Sequence, residues 1–543
     1  MKYPYLPVIL LIILLFSSCG GSVKEDSLHL SAPGVLPIVD KPLAMTIMLS
    51  NVTQLDKDWQ NNDASAFMEE VTGIQMTYNV VPNLDQARKL AITSDTMPDI
   101  FMGETKSSDI MQNGPEGYYL PLNKLIEDHA PAIKKNFEEY PLLKKVITTP
   151  DGTIYGLPSV NDDFHGAFGQ KMWINRTWLE NLKLEMPQTT EEFYKVLIAF
   201  RDQDPNGNGI QDEIPWTGSK TGWFTKIPGA LLNSFLYVNE INGGLYLQNG
   251  RIHQAYTDSR YRDALALTAR FYAEDLLDPM ALTQSQKNLM DTAEKKGDNI
   301  LGVVNSGYWG IFTKNGGESG RYKEYDLVPP LIGPEGVQTS GYYMKIIKDC
   351  FVISSSCKSP EAAIKWADYI ATPEGAWNTQ FGREGLGWIR PPEGAVGLNG
   401  LPALFIRLNP QESGANWGFD PVAPRFQPAS QRLGEMKAPP EEYYNPSKVM
   451  TRLSAEVLEK YVDHKPDESM IMPPVYLTAE ETTLVNENID RINDYIDKST
   501  VAFITGSMDI ETEWDMYLEE LENRGLARIL ELYQKAYNRQ FGN

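Results

Sequence analysis

The chain has 543 residues, and its 72 acidic residues outnumber its 49 basic ones, so that the formal net charge is −23. A chain of this length is expected to form two lobes rather than one core. The acidic balance, with no basic run, excludes nucleic acid as an expected partner.

The N-terminus has the pattern of a secretory signal. A lysine precedes an apolar run from Tyr5 to Phe16, and small residues follow as far as Cys19. The run is too short for a membrane span and predicts a signal peptide over residues 1–18. Cys19 is the expected lipid-acylation site, the alternative being an ordinary signal with an incidental cysteine. Residues 19–42 are polar and then Pro-rich, which predicts a tether.

Strands and helices alternate after the tether. The expected strands are Met45–Leu49, Ile74–Val80 and Asp99–Met102, and the expected helices are Ala66–Gly73 and Asn83–Thr93. The first helix ends in glycine, a common helix terminator. This order predicts an α/β fold in which helices cover a sheet.

The residues from Asp204 to Glu213 read DPNGNGIQDE, the pattern of a calcium loop. Calcium takes 6–8 oxygen ligands. The expected ligands are the side chains of Asp204, Asn206, Asn208, Asp212 and Glu213 and the carbonyl oxygen of Ile210. An EF-hand register starting at Asp202 puts Gly209 where an apolar residue belongs, so a register starting at Asp204, with Glu213 closing the site early, fits better. The alternative is a surface turn without an ion.

The second half of the chain is rich in helix patterns. Thr189–Glu192 has the capping-box spacing and leads into an apolar face that contains Phe193, Leu197 and Phe200. The C-terminal third is expected to be mostly helical, ending in an apolar stripe formed by Leu526, Ile529, Leu530, Tyr533 and Tyr537.

Common enzyme motifs do not occur in the sequence. The five histidines are isolated, and there is no phosphate loop or Gly-x-Ser-x-Gly. Adjacent carboxylates such as Asp162–Asp163 are inevitable in an acidic chain, whereas glycoside hydrolysis needs two carboxyls facing each other across a bond. Cys350 and Cys357 match neither a zinc site nor a disulfide-built fold. Whether they pair with each other stays open.

Several short segments in a fixed order resemble a known family. They are Glu70–Ile74, Thr96–Phe101, Leu120–Ile126, Pro150–Pro158, the calcium loop, Ser359–Tyr369, Ala502–Gly506, Glu513–Trp514 and Tyr517. Together they resemble the extracellular solute-binding proteins of family 1, within which the LipO-like lipoproteins and the alginate-oligosaccharide-binding proteins are most similar. The resemblance spans almost the whole chain after the signal.

The resemblance implies two α/β lobes of the periplasmic-binding-protein type, with a ligand cleft between them that closes by a hinge. The first lobe is expected over 43–160, with 300–360 returning to it. The second lobe is expected over 161–299 and, mostly helical, over 361–543. The calcium ion is expected to be structural and distant from the ligand.

The resemblance also implies a function. The chain is expected to be a monomeric, lipid-anchored protein, on the extracellular face or in a periplasm. It would capture oligosaccharide and deliver it to an ABC permease. A peptide or another small solute is the alternative ligand, and a surface glycan-binding lipoprotein without a permease, or a hydrolase, is less favoured.

Candidate cleft residues are aromatic or polar and lie in Gly-rich loops or after strands, because sugars stack on aromatic faces and bond through their hydroxyls. They are Trp309, Trp388, Trp417, Trp216, Tyr308, Arg383, Glu384, Asn51 and Asp163, and Asp162 and His165 are weaker candidates. A surface salt bridge explains Arg383 and Glu384 nearly as well. By contrast, Trp178, Trp366, Trp377 and Trp514 lie on helical patterns and are expected in the core.

Overall fold

The computed structural model describes residues 28–50, 58–162, 164–408, 418–419 and 423–542. The predicted signal peptide and Cys19 lie outside these residues, as do three cleft candidates, Asn51, Asp163 and Trp417.

The strands are β1 Leu43–Ser50, β2 Ile74–Val81, β3 Ile100–Met102, β4 Gly156–Asn161, β5 Met172–Asn175, β6 Ile214–Thr217, β7 Leu245–Gln248, β8 Arg251–Gln254, β9 Leu301–Asn305, β10 Tyr325–Leu327, β11 Ile346–Ile353, β12 Trp388–Ile389, β13 Ile406–Arg407 and β14 Phe426–Gln427. The helices are α1 Asp63–Thr72, α2 Leu84–Thr93, α3 Ser107–Asn113, α4 Asn123–His129, α5 Pro131–Glu139, α6 Pro141–Ile147, α7 Arg176–Leu182, α8 Thr190–Asp202, α9 Ser259–Ala273, α10 Gln286–Ala293, α11 Pro360–Ile370, α12 Pro373–Phe381, α13 Ala429–Arg432, α14 Val449–Lys460, α15 Ala479–Thr505, α16 Trp514–Asn523 and α17 Leu526–Phe541.

The first lobe is built on a six-stranded sheet with the order β14-β4-β11-β3-β1-β2. β1 is parallel to β2 and β3, whereas β11 is antiparallel to both β3 and β4. Alternate residues of a strand point to opposite faces, so Ile47 and Leu49 enter one core with Trp366 of α11, and Met48 enters another with Phe101. Both faces of this sheet are therefore buried, as in α/β proteins.

The second lobe is built on a four-stranded sheet with the order β10-β5-β9-β6. On one face, Ile174, Trp216 and Val303 pack with residues of α8, α9 and the C-terminal helices α15 to α17. On the other face, Trp173 and Val304 pack with residues of α14. The C-terminal helices thus complete the core of this lobe.

Local sequence signals place the helix ends correctly. Gly73 ends α1 with φ 76°, a left-handed conformation that favours glycine. Thr189 and Glu192 form the predicted capping box at the start of α8. The helix patterns also sort the indoles correctly, since the four expected in the core are at most 6% exposed, namely Trp178, Trp366, Trp377 and Trp514.

Two lobe boundaries expected from the resemblance are wrong. Residues 300–360 do not return to the first lobe as a whole, because β9 and β10 pair within the second sheet and only β11 joins the first. Residues 361–543 do not all belong to the second lobe, because α11 packs in the first core and β14 pairs with β4. Strand pairing decides these assignments, and chain order alone does not reveal it.

The question of whether the two cysteines pair was left open by the sequence. Cys350 and Cys357 are buried free thiols in the described structure, and burial raises the pKa of both thiol groups. Among the described residues, none of the helices is both long and apolar enough to traverse a bilayer.

Candidate ligand cleft and calcium loop

The chain crosses between the lobes at one end of the second sheet. Segment 162–171 leads from β4 into β5, and segment 328–345 leads from β10 back to β11. The two crossings touch, because the Tyr343 amide donates to the Ala167 carbonyl over 3.0 Å. β6 and β9 also end at this edge, since Asn305 is paired with Met172. Loops at such strand ends, facing the other lobe, are where α/β proteins bind ligands.

Aromatic rings collect at this edge, and we call Trp223, Phe224, Tyr308 and Tyr343 the cleft aromatic cluster. The Trp223 ring centroid lies 5.3 Å from that of Phe224 and 6.4 Å from that of Tyr308, and the Phe224 and Tyr343 centroids are 6.2 Å apart. Trp223, Tyr308 and Tyr343 are only partly buried. They provide the apolar faces on which a sugar ring can stack.

Two glycines let these rings lie directly on the backbone. A Cβ on Gly307 would be 2.0 Å from the Trp223 ring, and a Cβ on Gly169 would be 2.0 Å from the Phe224 ring. The Gly307 amide also donates to the Trp223 carbonyl over 3.0 Å. The buried Lys171 donates to the Gly307 carbonyl over 3.2 Å. The contacts with Gly307, which Lys171 in turn holds, therefore fix the position of Trp223.

A pocket of about 340 Å³ adjoins the cluster, and we call it the cleft pocket. Its walls come from the 222–229 loop, the 240–243 turn, the start of α9 and one face of α15. Trp223 and Phe224 form part of the wall, so the pocket and the cluster are continuous. The volume lies at the lower end of the range for small-molecule sites, about 300–1,000 Å³.

Charged groups are placed unevenly around the cleft pocket. Lys226 and Asp497 form an exposed ion pair with 2.8 Å between Nζ and Oδ2. Glu240 is partly buried, and the Gln170 amide donates to it over 3.4 Å. Desolvation raises the pKa of the Glu240 carboxyl to about 7, with Lys226 opposing the shift and Asp497 adding to it.

The structure does not put two of the predicted tryptophans in the cleft, and those predictions are wrong. Trp216 is 0% exposed, and its indole N–H donates to Asn305 over 2.9 Å. Trp309 is 1% exposed, with the Trp173 ring at 5.0 Å and the Arg452 guanidinium 4.3 Å over its face. Trp216 is enclosed because it lies in β6 and its side chain enters the core of the second lobe, and Trp309 is enclosed because the turn after β9 folds back onto the sheet.

The structure also keeps Trp388 out of the cleft, and it places Arg383 and Glu384 in ion pairs. Trp388 is 1% exposed and donates its indole N–H to Asn378 over 2.9 Å, so it belongs to a core beside α12. Arg383 forms ion pairs at 3.2–3.3 Å with two carboxylates of α1. Glu384 pairs with Arg390 at 3.1 Å. Surface ion pairing therefore accounts for Arg383 and Glu384, and a ligand role for them stays a prediction.

Of the aromatic candidates from the sequence, Tyr308 lies in the cleft aromatic cluster. Trp223, Tyr343, Glu240 and Asp497 were not among the candidates selected from the sequence. A signal for Trp223 existed, since it follows a Gly/Ser/Lys/Thr turn after β6 and precedes another aromatic residue. Asp497 lies in the middle of α15, where no local pattern separates it from the other acidic residues of the helix.

The predicted calcium loop connects α8 to β6 and is curved as expected. Gly207 and Gly209 have φ of 72° and 73°, and Asp204 also has a positive φ of 47°. The Asp204 carboxylate accepts the Asn208 and Gly209 amides over 3.1 and 3.0 Å. Asp212 accepts the Asn208 side-chain amide over 3.1 Å. Most of the expected ligand oxygens therefore face the inside of one turn.

The donor set fits a cation. Both carboxylate oxygens of Glu213 are buried and, within the described chain, have no hydrogen-bond partner. Burial, followed by repulsion from Asp204 and Asp212, raises the pKa of Glu213. Asp202 instead pairs with Arg201 at 2.7 Å, in agreement with the register that begins at Asp204. In the described residues no three His, Cys, Asp or Glu side chains form a metal cluster, so a cation here would also need the amide and carbonyl oxygens.

Two α/β lobes joined by crossing segments, with aromatic rings at the crossing, are the architecture of a two-lobe solute-binding protein. Residues 50–377 match the family model described as bacterial extracellular solute-binding protein, and the chain belongs to that family.

Among curated proteins, the chain is 27% identical over 548 residues to the fructooligosaccharide ABC transporter substrate-binding protein FusA of Streptococcus pneumoniae, covering 97% of this chain and 96% of the relative. It is 26% identical over 299 residues to Lipoprotein LipO of Bacillus subtilis, covering 51% and 54% of the two chains. The first of these relatives is, by name, a substrate-binding protein of an ABC transporter, and the second is a lipoprotein.

Solved structures have the same fold. FusA in complex with kestose has a TM-score of 0.71 at 24% identity, over 91% of this chain and 99% of that chain. An HMO-binding solute-binding protein of Bifidobacterium longum infantis has a TM-score of 0.75 at 21% identity, over 93% and 100%. At these identities the likeness establishes the two-lobe fold.

Proposed function

We propose that this protein is the substrate-binding component of an ABC importer and captures an oligosaccharide in the cleft between its lobes. The observation that carries the proposal is the cleft aromatic cluster, which offers partly buried rings beside a polar pocket where the chain crosses between lobes. Sugar recognition needs this combination of flat apolar faces and hydrogen-bonding groups. Relatives and structural neighbours that are named for fructooligosaccharide, HMO and N-glycan ligands support the same ligand class.

The protein is proposed to be exported and anchored through a lipid on Cys19, as a monomer that delivers its ligand to membrane permease subunits. The sequence around Cys19 and the similarity to a lipoprotein support the anchor. Mass-spectrometric detection of a diacylated N-terminal peptide from the native host would test it. A mature chain with an unmodified cysteine would refute the anchor and leave the ligand proposal intact.

The loop from Asp204 to Glu213 is proposed to hold a structural calcium ion. The unpartnered Glu213 carboxylate supports this, as does a FusA structure described as an EF-hand mutant. Bound there, a calcium ion would supply positive charge to compensate the carboxylates. The chain itself contributes the curvature at Gly207 and Gly209 and the oxygens that face the turn.

Isothermal titration calorimetry tests the ligand class. Purified protein is titrated separately with neutral oligosaccharides, uronate oligosaccharides and a peptide pool, and each mixture is afterwards checked for cleavage by chromatography. Saturable binding of at least one glycan without cleavage is expected. Binding of peptides alone would refute the sugar ligand, and release of shorter glycans would favour a hydrolase.

A further inference from the structure

The cleft pocket carries two carboxylates that approach it from different elements. Glu240 lies in the turn before β7, and Asp497 lies on α15. Lys226 is the single cation among the described residues of the lining, and it is already paired with Asp497. The lining therefore carries a net negative charge whenever Glu240 is ionised.

Among the described lining residues, the pocket has no cation left unpaired to hold an added carboxylate. Arginine is the usual partner because its planar fork bonds both carboxylate oxygens, and no arginine occurs among the described lining residues. Two lysines near the crossing segments, Lys171 and Lys465, are engaged elsewhere. Lys171 donates to the carbonyls of His165 and Gly307, and Lys465 is paired with Glu468.

Hydroxyl groups suit the same lining. The Glu240 carboxylate and the Asp497 carboxylate accept hydroxyl hydrogens, and the exposed Asn493 side chain on α15 can bond further sugar oxygens. Trp223 and Tyr256 supply apolar area on opposite elements of the wall. The hydroxyls of an uncharged sugar ring satisfy these groups. A uronate would instead add a carboxylate to a site whose two carboxylates are balanced by only one lysine.

We infer that the cleft pocket seats an uncharged sugar unit and that Glu240 and Asp497 exclude uronates. The inference rests on the proposed function and specifies its substrate class. Uronate carboxyls stay ionised at neutral pH, so the discrimination operates under ordinary conditions.

The pH dependence of the discrimination follows from the surroundings of Glu240. The charged and titratable groups facing it are Lys226 from the 222–229 loop, Asp497 from α15, Tyr256 from the turn after β8 and Tyr261 from the start of α9. Because the pKa of Glu240 is raised to about 7, raising the pH from 6 to 8 ionises it. The preference for neutral ligands should therefore widen over this interval.

The test is calorimetric titration of the full chain with a neutral tetrasaccharide and a galacturonan tetramer. Both are measured at pH 6 and pH 8 in about 0.15 M salt, which screens the charge of the rest of the protein beyond about 8 Å. At pH 8 we expect the neutral tetrasaccharide to bind at least about tenfold more tightly than the galacturonan tetramer. Equal or tighter binding of the uronate would overturn the inference while leaving the proposed function standing, whereas no binding of any glycan would overturn the proposed function itself.

Substitutions assign the discrimination to the pocket. Glu240→Gln should reduce the ratio of the neutral-ligand affinity to the uronate affinity, and this ratio should no longer change between pH 6 and pH 8. Asp497→Asn should reduce the ratio further, because it releases Lys226 to attract a uronate. Asp490→Asn is the matched control, since it removes the same charge from an exposed site of α15 outside the pocket. An equal effect of all three substitutions would show that overall charge, and not this pocket, excludes uronates.

Discussion

Replacing Glu213 by glutamine should have opposite effects with and without calcium. When calcium occupies the proposed site, the substitution should remove one ligand and weaken the binding of the ion. Without calcium it removes a carboxylate whose two oxygens are buried without a partner in the described structure and whose pKa burial raises. An unsatisfied buried polar group costs about 1–3 kcal/mol. Because Glu213 is only partly buried, we expect a gain of about 1 kcal/mol in the calcium-free protein.

The loss in calcium follows from mass action. An ion at 100 times its dissociation constant stabilises the folded state by about 2.7 kcal/mol. For a domain of the size of one lobe this corresponds to about 5–10 °C in Tm. The variant should lose most of that stabilisation, so that its Tm hardly depends on calcium.

The assay is differential scanning calorimetry of both proteins in calcium and in chelator, at pH 5 and pH 7. The folded-state pKa of Glu213 is raised, so the calcium-free wild type should lose stability as the pH rises from about 4.5 through that pKa. Calcium should remove this loss. Asp202→Asn, just outside the loop, serves as the control and should leave the calcium dependence unchanged. Equal destabilisation of Glu213→Gln with and without calcium would refute the reasoning.

Three further predictions follow from packing and hydrogen bonds. Tyr476→Phe should cost about 2–3 kcal/mol in urea unfolding, because the hydroxyl donates to both carboxylate oxygens of buried Asp349 over 2.8–2.9 Å. A change below about 0.5 kcal/mol would contradict this. Burial raises the pKa of Asp368 to about 6, so its contribution to stability falls as the pH rises from about 4 to 6, and Asp368→Asn should reduce this loss by up to about 3 kcal/mol. Identical pH profiles of the unfolding free energy for the wild type and Asp368→Asn would contradict this prediction. Gly307→Ala should displace the Trp223 ring and weaken oligosaccharide binding about three- to tenfold by calorimetry, and unchanged affinity would show that Trp223 does not contact the ligand.

Local patterns predicted the fold elements well. The capping box at Thr189, the terminating Gly73 and the period of the helix faces act over a few residues, and each is legible in the sequence. The calcium loop is equally local, and its curvature agrees with the structure. The lobe boundaries were less predictable, because β9 and β11 join their sheets through strands more than 80 residues away in the chain.

The cleft was predicted poorly for a physical reason. A tryptophan in a Gly-rich loop can fold back onto a sheet, as Trp309 does, or lie open at its edge, as Trp223 does. Which of these occurs depends on what covers the indole face, here Arg452 in the first case. That partner is more than 100 residues away in the chain, so composition and spacing could not distinguish the two tryptophans.

Trp223 is the residue on which an oligosaccharide ring is proposed to stack. Calorimetric titration of a bound oligosaccharide into Trp223→Ala, compared with wild type and with Trp388→Phe, tests it directly. Trp223→Ala should lower the affinity at least about tenfold, consistent with a stacking contribution above about 1 kcal/mol. Trp388→Phe, which lies in a separate core, should leave the affinity unchanged. Unaltered affinity in Trp223→Ala, or a comparable loss in Trp388→Phe, would contradict the placement of the cleft.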